Sequence, residues 1–122
     1  MTPLGKVEMI IIYGIRNCDT CRKAVQWLDT EGVEYQFHDF RVDGIDAATL
    51  STWISEVGWE KLLNRRGITW RKLPDADKDD VDAVKAEALM AANPTLIKRP
   101  VFEGVGPVLV GFTAAEQSIL RG

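Results

Sequence analysis

Two cysteines separated by two residues, Cys18-Asp19-Thr20-Cys21, are the residues whose types and spacing most directly imply chemistry. At a helix start such a pair stands on one side, close enough to form a disulfide. The nucleophile is the thiolate, and an ordinary cysteine, with a pKa of about 8.5, is only a few per cent ionised at neutral pH. Three features act to lower that value at position 18: the orphan N–H groups of a first helical turn, the positive end of the helix dipole, and Arg22 four residues on. The expectation is a redox-active thiol at Cys18. Cys21 fits two roles. It suits a resolving thiol, but it also begins an apolar stripe with Ala24, Val25 and Leu28, where a small core residue belongs.

Other polar residues carry less specific signals. A zinc site needs about four ligands, and two cysteines with a single histidine fall short, so neither a metal nor a bound cofactor is expected. His38 lies beside Asp39 and off the phase of Tyr35 and Phe37, which predicts a solvent-facing strand position before it predicts a catalytic base. Arg65, Arg66, Arg71 and Lys72 form a basic set that suits either a solvated face or an anionic substrate. Arg99-Pro100 precedes a short apolar run, a place where a cis peptide would bring backbone beside the cysteine loop.

The elements that must position these residues follow from periodicity. Met9 to Tyr13 is a continuous apolar run closed by Gly14, which predicts a central strand buried on both faces. Asp19 to Thr30 has helical spacing and Gly32 ends it, while Val33 to Phe40 alternates as a strand does. Strand, helix and strand make a βαβ unit. The middle of the chain turns helical: Ala47 to Val57 carries Leu50, Trp53, Ile54 and Val57 at helical spacing, and a tryptophan-containing segment follows from Gly58 to Leu73. The acidic run Asp75 to Asp82 is expected to start another helix, with its charges offsetting the macrodipole, and Asn93-Pro94 to stop it. Val101 to Glu103 and Val108 to Gly111 then predict a hairpin, and Thr113 a cap on a last helix through Leu120. The prediction is an α/β fold with a mixed four-stranded sheet flanked by helices.

The composition bounds the function classes. At 122 residues the chain makes one domain, and no apolar run approaches the roughly 20 residues a membrane span needs. A formal net charge of −3 lacks the basic excess of a duplex-binding protein, so direct nucleic-acid binding is not expected. Met1 to Glu8 shows no secretory pattern, and the expected location is the cytoplasm.

Four segments together resemble one family. They are Tyr13-Gly14-Ile15-Arg16-Asn17-Cys18-Asp19-Thr20, Gly58-Trp59-Glu60-Lys61-Leu62-Leu63-Asn64, Arg66-Gly67-Ile68-Thr69-Trp70-Arg71-Lys72-Leu73, and Asn93-Pro94 through Lys98-Arg99-Pro100-Val101. Over essentially the whole chain the pattern is similar to the ArsC/Spx/YffB group of arsenate reductase-like proteins, most of all to its YffB subgroup. The resemblance implies a single thioredoxin-like domain over residues 1–122, with a helical insertion at 44–93 between its βαβ and ββα halves. It places the catalytic cysteine at Cys18, a basic residue one helical turn later at Arg22, and the arginine and cis-proline before the third strand at Arg99 and Pro100. Asn64 stands where arsenate reductases carry an arginine, with Arg65 and Arg66 just beyond as substrate-binding candidates. No counterpart of their late arginine occurs near Val110-Gly111-Phe112. YffB-like proteins commonly have an apolar residue at the place of Cys21, whereas Spx-like regulators carry a CxxC disulfide switch. The implied activity is a thiol–disulfide oxidoreductase with glutathione as co-substrate and glutaredoxin as a possible partner. The alternatives are an Spx-like redox-switched protein that contacts RNA polymerase, and an arsenate reductase.

Overall fold

The computed structural model describes residues 9–121; the leader reading of Met1 to Glu8 lies outside them. The chain divides into two compact units, one built from the residues up to Asp39 and from Arg99 onward, the other from Phe40–Lys98.

In the first unit, β1 (Ile10–Gly14) leads to α1 (Asp19–Glu31) and then β2 (Tyr35–Asp39). After the helical unit, β3 (Val101–Glu103), β4 (Leu109–Val110) and α8 (Ala114–Arg121) complete it. The sheet order is β2-β1-β3-β4, with β1 parallel to β2 and antiparallel to β3, and β3 antiparallel to β4. The four-stranded mixed sheet with flanking helices is the thioredoxin-like α/β architecture expected. The central place of β1 explains its composition: Ile10 and Ile12 pack with Ala24 and Leu28 of α1 and Leu120 of α8, while Tyr13 is buried on the opposite face. Phe102 and Leu109 from the hairpin close the same core.

Local signals set the boundaries. Gly32 ends α1 in the left-handed conformation, φ 72°, where its N–H bonds the Asp29 carbonyl at 3.2 Å. Thr113 and Glu116 cap α8 reciprocally: the Thr113 hydroxyl accepts from the Ala115 N–H at 3.3 Å, and the Thr113 N–H donates to Glu116 Oε1 at 2.6 Å. Arg121 Nε donates to Glu31 Oε1 at 3.3 Å and its guanidinium lies 5.2 Å from the Trp27 ring centroid, which ties α8 to α1.

The second unit is helical: α2 (Phe40–Asp43), α3 (Ala47–Val57), α4 (Trp59–Leu62), α5 (Ile68–Arg71), α6 (Asp75–Lys78), α7 (Ala83–Ala92) and a 3-10 turn at Pro94–Leu96. Leu50, Trp53, Leu62, Met90, Leu96 and Ile97 are fully or almost fully buried, and Phe40 meets Trp53 edge to face. Residues 44–93 fall within this unit. The acidic run differs from its expected role as the first turn of one helix. Asp75–Lys78 forms the separate turn α6, the chain reverses at Asp80 with φ 51°, and Asp82 caps α7 by accepting the Lys85 N–H at 2.9 Å. Asp/Asn side chains cap and tolerate left-handed backbone, so a run of them breaks a helix as readily as it starts one.

Candidate active site

Cys18 is the residue immediately before the first turn of α1, in extended conformation (φ −131°, ψ 126°), and its carbonyl accepts the first helical bond from the Arg22 N–H at 2.9 Å. This geometry turns the sulfur toward the open N–H groups of the helix start. Partial burial alone would raise the pKa of the Cys18 thiol. The Cys21 N–H, the Cys21 thiol and the Arg99 guanidinium outweigh it, and the net effect is a lowered pKa. Arg99 reaches this place because it ends the return from the helical unit and is joined by a cis peptide to Pro100, directly ahead of β3.

Cys21 is fully buried. Burial pushes its thiol up to about 12, and the neighbouring Cys18 charge adds to the effect. Its sulfur packs against Gly14, where an added Cβ would collide with it. The two roles weighed for Cys21 are therefore compatible: a side chain in the core stripe also faces the Cys18 sulfur. Both cysteines are free thiols in the structure.

Arg22 is directed elsewhere. Its guanidinium pairs with Asp19 and donates to Asn17 Oδ1 at 3.1 Å, so it braces the loop before the helix. The groups that lower the Cys18 pKa are Cys21 and Arg99, and Arg22 is not one of them. Pro100 is buried, and its carbonyl accepts the Gly111 N–H at 2.8 Å. Arg65 and Arg66 belong to the helical unit. The Arg65 guanidinium lies 5.2 Å from the Trp59 ring centroid and 6.0 Å from that of Trp70. Arg66 is exposed; its N–H donates to Asn64 Oδ1 at 3.0 Å and its carbonyl accepts from Arg71 Nη1 at 3.0 Å. His38 is half-buried rather than fully solvent-facing, with its ring 4.7 Å from the Tyr13 ring on the sheet face away from α1.

Sequence reasoning did not assign a role to Gly14 or Arg16. The signal for Gly14 was its place at the end of a buried strand just ahead of the cysteine loop. Arg16 has its N–H on the buried Asp39 carboxylate at 3.1 Å and its guanidinium stacked 4.8 Å from the Phe37 centroid. No local pattern announces either contact.

Known proteins share this sequence pattern and fold. The chain is similar to a structure of a YffB protein, with 46% identity, a TM-score of 0.88, and coverage of 93% of this chain and 100% of that one. A solution structure of an arsenate reductase (ArsC) related protein from Brucella melitensis is also 46% identical, with a TM-score of 0.74 and coverage of 93% and 95%. The global transcriptional regulator Spx of Streptococcus mutans is 28% identical over 110 residues, 88% of this chain and 80% of that protein. The ArsC family model matches residues 13–119, and with it the chain belongs to the ArsC family.

Proposed function

We propose that this protein is a thiol–disulfide oxidoreductase with Cys18 as its nucleophile and glutathione as its co-substrate. The observation that carries the proposal is the convergence of Arg99, the Cys21 thiol and the Cys21 N–H on the Cys18 sulfur, which favours its thiolate. The Cys18 thiolate attacks one sulfur of a disulfide R–S–S–R′; a Cys18–S–S–R bond forms and R′ leaves as thiolate. Formation of that bond removes the Cys18 charge, which is one of the causes that raise the Cys21 pKa. Cys21 then loses its proton more readily, attacks the Cys18 sulfur and expels the R thiolate. Two glutathione thiols reduce the Cys18–Cys21 disulfide and leave as glutathione disulfide. Attack of glutathione itself on the mixed disulfide is the shorter route. Arg99 is assigned to holding an anionic substrate beside the Cys18 sulfur.

A panel with arsenate, glutathione mixed disulfides and glutaredoxin tests the reading. Turnover of mixed disulfides by the wild type, lost in Cys18→Ser, is the expected result. Turnover of arsenate alone would replace it with arsenate reduction. In Cys21→Ala a longer-lived mixed disulfide is expected if Cys21 resolves, and an unchanged lifetime leaves resolution to glutathione.

The similarity to Spx, together with the paired cysteines, favours one second reading: a redox-switched protein whose Cys18–Cys21 disulfide alters affinity for RNA polymerase. Pull-down under oxidising and reducing conditions separates the two. A redox-dependent polymerase complex without reductase turnover selects the switch.

A further inference from the structure

A groove of about 620 Å³ lies between α1 and the edge strand β2, a size typical of small-molecule sites, which span roughly 300–1,000 Å³. Half-buried Val25, Tyr35 and Phe37 line it. Most of its polar groups are already engaged within the protein. Arg22 is held by Asp19 and Asn17, and Asp29 accepts the Tyr35 hydroxyl at 3.0 Å. Two cations differ. The Arg16 guanidinium is stacked on Phe37, yet its side-chain N–H groups have no acceptor among the described residues, and neither has the Lys23 ammonium. Stacking fixes the plane of the Arg16 fork while leaving its donors open, which is the arrangement that takes a carboxylate with two parallel bonds.

The charge of the groove narrows the choice of anion. Arg16, Arg22 and Lys23 are balanced in part by Asp19 and Asp29, which leaves one net positive charge. A single negative charge is matched there, whereas a phosphate dianion would be in excess and would face the Asp29 carboxylate.

We propose that this groove binds a planar aromatic carboxylate, with the carboxylate on Arg16 and Lys23 and the flat body against Val25, Tyr35 and Phe37. The Tyr35 ring is positioned for that body by its bond to Asp29. Cys18 does not line the groove, but Asp19, Cys21 and Arg22 do, so the site adjoins the proposed nucleophile without including it.

Titration of the full-length protein with 2-naphthoate, followed by amide NMR, tests the proposal. Saturable binding with shifts centred on Arg16, Lys23, Val25 and Phe37 is expected. Lys23→Gln should weaken it about tenfold, the loss expected for one hydrogen bond between charged groups, and Arg16→Gln, which removes two, about a hundredfold, while Lys61→Gln in the helical unit leaves it unchanged. The neutral 2-naphthamide should bind at least as weakly as 2-naphthoate does to those two variants. Absence of saturation, shifts centred elsewhere, or equal binding by Arg16→Gln and Lys61→Gln would overturn the site. Tighter binding of 2-naphthyl phosphate than of 2-naphthoate would overturn the carboxylate assignment.

Discussion

At the scale of single residues, the two cysteines differ in environment far more than their spacing suggests. Cys18 is partly exposed with cationic and N–H groups directed at it, and Cys21 is enclosed by the core with Gly14 against its sulfur. Alkylation of the reduced protein should therefore proceed at Cys18 alone at neutral pH, with a midpoint below the ordinary cysteine value of about 8.5. Arg99→Gln should raise that midpoint, because it removes both a hydrogen bond and a positive charge from the thiolate. A midpoint unchanged by the substitution would remove Arg99 from the activating set. Cys21 has the opposite pH signature. Its folded pKa of about 12 stands above that of the unfolded thiol, so its contribution to stability is complete below about 8.5 and is lost as pH rises toward 12. Urea unfolding of reduced Cys18→Ser, in which burial of Cys21 persists, should show declining stability from about pH 9 upward. The Cys18→Ser/Cys21→Ala protein should lack that component.

At the scale of elements, the site depends on how β1 ends and how α1 begins and ends. β1 ends at Gly14, where a residue without a Cβ is required because an added Cβ would collide with the Cys21 sulfur. Gly14→Ala should destabilise the protein by about 1–3 kcal/mol, the usual cost of overfilling a packed core, as read from denaturant midpoints. Shortening the facing side chain in Gly14→Ala/Cys21→Ala should recover part of the loss, whereas two independent sites would give additive losses. Gly32 isolates the backbone contribution, since an added Cβ meets nothing within 4 Å yet φ is 72°. Gly32→Ala should cost about 1 kcal/mol through left-handed strain alone, with no change in Cys18 alkylation.

At the scale of the whole molecule, each compact unit carries its own buried cluster. Phe102 is fully enclosed in the sheet unit and Trp53 in the helical unit. Phe102→Ala and Trp53→Ala should each cost about 3–5 kcal/mol in urea unfolding, because an aromatic side chain is removed from a packed interior that collapses only in part. No described helix is long and apolar enough to cross a membrane.

The sequence alone determined whatever short-range chemistry specifies. The apolar run of β1, the stripe of α1, the stop at Gly32, the cap at Thr113 and the hairpin all lie within windows of a few residues, where hydrophobic period and capping act directly. The same holds for the placing of Cys18 just ahead of α1, since a cysteine at a helix start is recognisable within one turn. The acidic run was misplaced because acidic residues both start and break helices, and Asp80 and Asp82 do the latter. Tertiary structure alone decided the rest. Arg99 is brought beside Cys18 from the start of the neighbouring strand, Arg22 is drawn to Asp19 and Asn17, and His38 is set against Tyr13. The groove over Phe37 forms only when α1 crosses above β2. Each of these depends on where a long side chain finds its partner, and that choice is made by packing between elements distant in the chain, which no local period encodes.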